Sequence, residues 1–221
     1  MAMRAGASFL ALLAAATALV PGPASGAEVR GAVSMTVDRS HVRRWNAFAD
    51  AVVALHERQV KAHRVRTEES VGGYAGMPDF YREVRYFDAE SGRLLSRVQY
   101  EREGPGEIHA IEVYVYGPDG RLLRDYAAAF LPGYRNAPVQ TLVNLHHYNG
   151  GLHAFRQFDA SGARIYEACE GTWQGRPVSI RLFEDDLHDT EGDGARVMAS
   201  AEYRACFEGL PLTAGPYLHP R

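Results

Sequence analysis

Hydrophobic positions follow two different periods along this chain. From Ser40 onward, Val42, Trp45, Phe48, Ala49, Val52, Leu55 and Val60 recur at three- and four-residue spacing, which is the signature of one helical face. Ser40 is a suitable N-cap. Arg43, Arg44, Glu57, Arg58 and Lys61 fall mostly outside the stripe. The pattern predicts an amphipathic helix of about 25 residues, with basic side chains near its C-terminal end where the helix dipole favours them. Gly72-Gly73 stops any extension of it.

After Met77-Pro78 the period changes to two. Tyr81–Phe87, Leu94–Arg102, Glu107–Tyr116, Arg121–Phe130, Thr141–Tyr148, Leu152–Phe158, Ala163–Glu170 and Val178–Phe183 read as strands, with a last one near Arg196–Phe207. Turn chemistry separates them. Pro118-Asp119-Gly120 and Asp159-Ala160-Ser161-Gly162 suit type I turns closed by glycine, and Asn149-Gly150 is a strong two-residue hairpin signal. The aromatic–Asp–Gly pattern at Phe87-Asp88…Gly92, Tyr116…Gly120 and Phe158-Asp159…Gly162 is one hairpin chemistry used three times, at unequal spacing that does not define a solenoid.

Strands joined by tight hairpins lie antiparallel and adjacent. The expected fold class is therefore α+β: an N-terminal amphipathic helix packed on a curved antiparallel meander of about 8–9 strands, which curls into a half-barrel rather than staying flat. The expected organisation is a leader over 1–27, a single domain over 28–210 and a proline-containing extended tail over 211–221. Residues 28–37 would be a leading arm, with a short strand at Ala32–Val37.

Composition narrows the class. Of the 221 residues, 46% are hydrophobic and 23% charged, which excludes a disordered chain. A net charge of −3 gives no reason to expect nucleic acid or an anionic membrane as partner. Met1–Ala27 reads as a secretory signal peptide: Arg4, an apolar run from Phe9 to Val20, a Pro21-Gly22-Pro23 break and small residues at Ser25-Gly26-Ala27. No later stretch is long and apolar enough to span a bilayer, so the mature chain is expected to carry no transmembrane segment. Cleavage near Ala27 would deliver it to the periplasm or outside the cell. In that compartment Cys169 and Cys206 are expected to form one internal disulfide.

Candidate chemistry is sparse. His146, His147 and His153 form the densest histidine cluster and are candidate zinc ligands. In an Asn-Gly hairpin, adjacent His146 and His147 point to opposite faces, so only one can join His153, and a further ligand such as His109 or a carboxylate is required. Asp189, Glu191, Asp193 and Gly194 match the opening of a calcium loop, but Ser200 stands where the bidentate glutamate belongs. Tyr114, Tyr116, Tyr126 and Phe155 are candidate lining for an apolar ligand groove. Signatures of lipase-type serine hydrolases, P-loop enzymes, zinc peptidases and dinucleotide-binding enzymes are absent.

These observations point to an exported, non-enzymatic binding protein. It would hold an apolar or amphipathic ligand, or an extended partner segment, between helix and curved sheet. The alternatives are a structural accessory subunit of an envelope complex, partnered by another envelope protein, and a periplasmic hydrolase of glycans or peptides.

Overall fold

The computed structural model describes residues 39–104, 106–132 and 138–221, which fall within one compact unit spanning 38–221. The expected leader, the arm over 28–37 and the middle of the 132–138 connection lie outside the described residues. The first element is helix α1 (Arg39–Ala62), 24 residues long. Nine strands follow: β1 (Val65–Tyr74), β2 (Met77–Asp88), β3 (Leu94–Glu101), β4 (Ile108–Tyr116), β5 (Leu122–Ala129), β6 (Gln140–Asn149), β7 (Gly151–Phe158), β8 (Arg164–Trp173) and β9 (Arg176–Phe183). Three short helices close the chain, α2 (Glu184–His188), α3 (Asp193–Ala199) and α4 (Ala201–Phe207), before a 3-10 turn at Gly215–Leu218.

The sheet is one antiparallel meander in sequence order, with β1 and β9 as its unjoined edges. The hairpin chemistry accounts for this order. Gly120, Gly150 and Gly162 take positive φ at three of the turns, a conformation that costs glycine little.

β1 departs from expectation. Its sequence, VRTEESVGGY, has no apolar alternation and most of it is exposed. It is held by backbone pairing to β2, with Arg82 bonded to Glu69 and Arg66 over the Phe87 ring. Gly72, expected to end the helix region, instead lies within this strand beneath the Tyr81 ring, where a Cβ would come 2.7 Å from a ring carbon.

The last segment is a second correction. Residues 196–207, read as a strand, fold into α3 and α4. Ser200 caps α4 by accepting a hydrogen bond from the Tyr203 backbone N–H at 3.1 Å. α4 therefore begins with a local acceptor that the alternation of apolar residues does not reveal.

The helices share one face of the sheet. Phe48, Val52 and Leu55 of α1 are buried in a core with Val98, Ile111, Val113, Tyr126 and Val143. The other half of that face, including Phe158, Cys169, Ile180 and Leu182, clusters with Leu187, Cys206, Phe207, Leu210 and Ala214. The side that a lone helix would have left open is thus covered by the chain's own C-terminal segment. Residues 211–221 are not a free extended tail, since Ala214 is buried and Tyr217 and Leu218 pack on the core.

Two devices hold that segment down. Cys169 of β8 is disulfide-bonded to Cys206 of α4, 37 residues apart. Beside it, Arg156 and Glu167 stand opposite each other on β7 and β8, at 1% and 0% side-chain exposure. Arg156 Nε donates to Glu167. Its Nη1 donates to the carbonyls of Leu210 at 2.8 Å and Pro211 at 2.9 Å, and its Nη2 to Tyr203 Oη at 3.2 Å. Tyr203 in turn donates to Glu167 at 2.7 Å.

Without Arg156 the buried Glu167 keeps only the longer ion pair to Arg164, at 3.3 Å, so Arg156→Met is expected to cost about 3 kcal/mol in urea unfolding. Arg156→Met combined with Glu167→Leu should recover much of that loss. Equal loss in both variants would show that the charge pair is not the cause. His56 of α1 bonds Ser96 Oγ at 2.7 Å through Nδ1, and burial holds its pKa below 6.5. The folded state therefore favours neutral His56. The stability it contributes is present above pH 6.5 and is lost as pH falls through the folded pKa, which an NMR titration of the imidazole protons will locate.

Candidate functional site

The opposite face of the sheet carries none of the described helices, yet it holds buried charge. Strand register sets the arrangement. Glu83, Gln99 and Arg97 of β2 and β3, Glu112 and Tyr114 of β4, Asp125 of β5, Asn144 and His146 of β6, and Gln157 of β7 fall on this face. Their side chains interlock. Glu83 accepts from Arg85 at 2.7 Å and Gln99 at 3.0 Å. Arg97 reaches Glu112 at 2.9 Å, and Tyr114 Oη donates to the same carboxyl. Asp125 accepts from Asn144 at 2.6 Å, and Asn144 accepts from Gln157 at 2.8 Å.

Two carboxyl groups in this network experience different surroundings. Burial pushes Glu112 up to about 7, partly offset by the Arg97 guanidinium. Asp125 contacts His146 Nε2 at 2.6 Å, and His146 Nδ1 contacts His153 Nε2 at 2.9 Å. With Asp125 ionised, His146 donates to it and accepts from His153. The three side chains form one hydrogen-bonded line from the buried Asp125 to the exposed His153. Burial and the neighbouring His146 lower the pKa of His153.

The histidine cluster is therefore divided. His146 and His153 meet on the free face, while His147 lies against Gly209 on the helix-bearing side. The His146 and His153 rings are within 17° of parallel, with centroids 5.2 Å apart. A gap of 2.9 Å between their nitrogens suits a shared proton. A metal bound to both would need about 2.0–2.1 Å to each nitrogen and a wider separation. Among the described residues no group of three His, Cys, Asp or Glu side chains is placed to hold a metal.

The calcium-loop residues are likewise occupied. Asp189 accepts from the backbone N–H groups of Glu191, Gly192 and Gly194 at 3.1, 2.7 and 3.1 Å, which holds its carboxyl below the usual range. Asp193 pairs with Arg196, and Glu191 is exposed. Asp189 acts here as a helix cap.

The four aromatic residues expected to line one groove are not brought together. Tyr126 is buried against Phe48 on the core side. Tyr116 donates to the Leu94 carbonyl at 3.0 Å, beside a cavity of about 180 Å³ shared with Gln59 and Arg93. Tyr114 and Phe155 lie on the free face. There Phe155 joins a strip of rings across β7, β8 and β9, with Phe155–Tyr166 centroids at 5.7 Å and Tyr166–Phe183 at 5.1 Å. Phe183 at its end is 56% exposed.

Sequence reading missed Glu112, Asp125, Asn144 and Gln157. Glu112 and Asn144 each sit between two apolar residues, and Asp125 and Gln157 each follow an arginine, so no strand shows them as a cluster. The Asn149-Gly150 signal marks the hairpin but not its register: Asn149 pairs with Leu152 across Gly150-Gly151, and this sets Asn144 opposite Gln157.

The architecture is that of an α+β protein with an open nine-stranded meander, covered on one face only by the described helices. No described helix is long and apolar enough to cross a membrane. Compared with family models, curated proteins and solved structures, the chain matches none.

Glu112 supplies a pH test. Below pH 4.5 both folded and unfolded states are protonated, and the group has no effect on stability. Between 4.5 and about 7 the unfolded state ionises first, so the contribution falls as pH rises. Glu112→Gln should therefore stabilise the protein at pH 8, by roughly 3 kcal/mol at most. Chemical denaturation at pH 4 and pH 8 should show the gain vanish at the lower pH.

Proposed function

We propose that this chain is an exported, non-enzymatic binding protein that engages an amphipathic ligand or extended partner segment on its helix-free sheet face. The observation that carries the reading is the junction on that face of an aromatic strip, Phe155–Tyr166–Phe183, with the polar line Asp125–His146–His153. Apolar and polar groups of one ligand would meet complementary surfaces side by side. Desolvating a charged network without need is costly, and a network kept beneath an open face has a reason to be there when it meets a partner.

In this reading residues 1–27 direct export and are removed, the mature chain works in the periplasm or outside the cell, and the sheet is curved as a half-barrel. The disulfide suits that compartment. The helix-bearing face, packed by Phe48, Val52, Leu55 and the C-terminal segment, supports the fold rather than the ligand. A second reading, hydrolysis of a glycan or peptide, draws on Glu112, whose carboxyl, pushed up to about 7 by burial, could donate a proton beside the Asp125 carboxyl.

Photo-crosslinking tests the proposal. A benzophenone side chain replacing Phe183 should capture a ligand or partner in the cell envelope, and one replacing Arg44 on exposed α1 should not. Capture from Arg44 alone would reject the free face as the binding surface. Product release from envelope glycans or peptides, lost in Glu112→Gln, would instead establish the hydrolase.

A further inference from the structure

A second feature lies on the helix-bearing side of the sheet, away from the free face. A cavity of about 240 Å³ opens where β5 passes the C-terminal tail, lined by Arg124, Tyr126, Pro216, Tyr217, His219 and Arg221. The side chains that line it include two arginines and a histidine. No aspartate or glutamate side chain lines it, and among the described residues no side-chain carboxylate pairs with Arg124 or Arg221. Arg58 of α1 donates to the Pro220 carbonyl at 3.3 Å, which brings another guanidinium to the rim.

Arg124 is the central cation. It stands opposite Val115 and Leu145 in the sheet, on the same side as Tyr126. Its guanidinium lies 5.9 Å from the centre of the Tyr217 ring, and its Nε is buried with no hydrogen-bond partner. A guanidinium drawn partly out of water without a carboxylate is unfavourable, and an aromatic ring compensates it only in part. An oxyanion offers the missing charge and the planar acceptor pair that the guanidinium fork matches. Tyr126, Pro216 and Tyr217 add apolar walls. The volume is below the roughly 300 Å³ at which sites for drug-sized molecules begin, which restricts the occupant to about one ring.

We propose that this cavity binds a small organic anion. One carboxylate or phosphate group is held by Arg124, with His219 and Arg221 nearby, and a compact apolar body rests against Tyr126, Pro216 and Tyr217. The site is separate from the free-face surface, so each can fail without the other.

The test uses three probes of similar shape: benzoate, phenyl phosphate and neutral benzyl alcohol, titrated into the full chain and followed by NMR shifts of the tyrosine ring signals. At least one of the two anions should bind saturably and perturb Tyr126 or Tyr217, and the stronger of them tells carboxylate from phosphate. Benzyl alcohol should bind at least about tenfold more weakly. Arg124→Met should weaken the preferred anion by at least about tenfold. Arg221→Ser, at an exposed position, should weaken it by about two- to fivefold. Equal binding of anion and alcohol, no saturable binding of either anion, or an anion affinity unchanged in both variants would overturn the proposal.

Discussion

The buried Arg156–Glu167 pair is the contact on which the arrangement of this molecule turns. Nine strands in sequence order present a broad apolar face, and α1 covers only the part formed by β3–β6. The rest must be covered by the C-terminal segment, whose helices are only five to seven residues long. A buried guanidinium needs several acceptors, and here those acceptors belong to the segment that must be docked: the carbonyls of Leu210 and Pro211 and the hydroxyl of Tyr203. Satisfying the charge and closing the core are therefore one event. The Cys169–Cys206 disulfide shortens the same search by joining the segment to β8.

With that face closed, the two sides of the sheet become different surfaces. The helix-bearing side excludes water by packing Phe48, Val52, Phe158 and Phe207 at 3% exposure or less. The other side keeps its charges close through mutual hydrogen bonds. Glu112 and Asp125 show how register differentiates like groups. The first is raised by burial, whereas the second accepts from an amide and an imidazole. A surface of this kind is preorganised, because each polar group is already oriented by another. Its aromatic border gives it an apolar margin.

Much of the architecture was legible in the chain. The α1 stripe and the hairpin glycines are local signals, and eight of the nine strands follow from them. β1 was not legible because its pairing rests on the backbone of β2 and on side chains of its neighbour. The C-terminal helices were not legible because apolar residues over 196–207 alternate as in a strand, while the capping by Ser200 and the burial of Cys206 and Phe207 depend on where the segment docks. Of the candidate site, the sequence showed that only one of His146 and His147 could join His153, and the structure places His146 there. The partner completing the line, Asp125, comes from a different hairpin.

Local spacing thus determined which residues become helix, strand and turn, and through the turns it determined the order of the strands, because these preferences act over a few bonds. What lies across the sheet from what was decided only in three dimensions. Asp125 meets His146, and Arg156 meets Leu210, because register and docking bring together residues 21 and 54 positions apart. No periodicity within a single strand encodes that meeting.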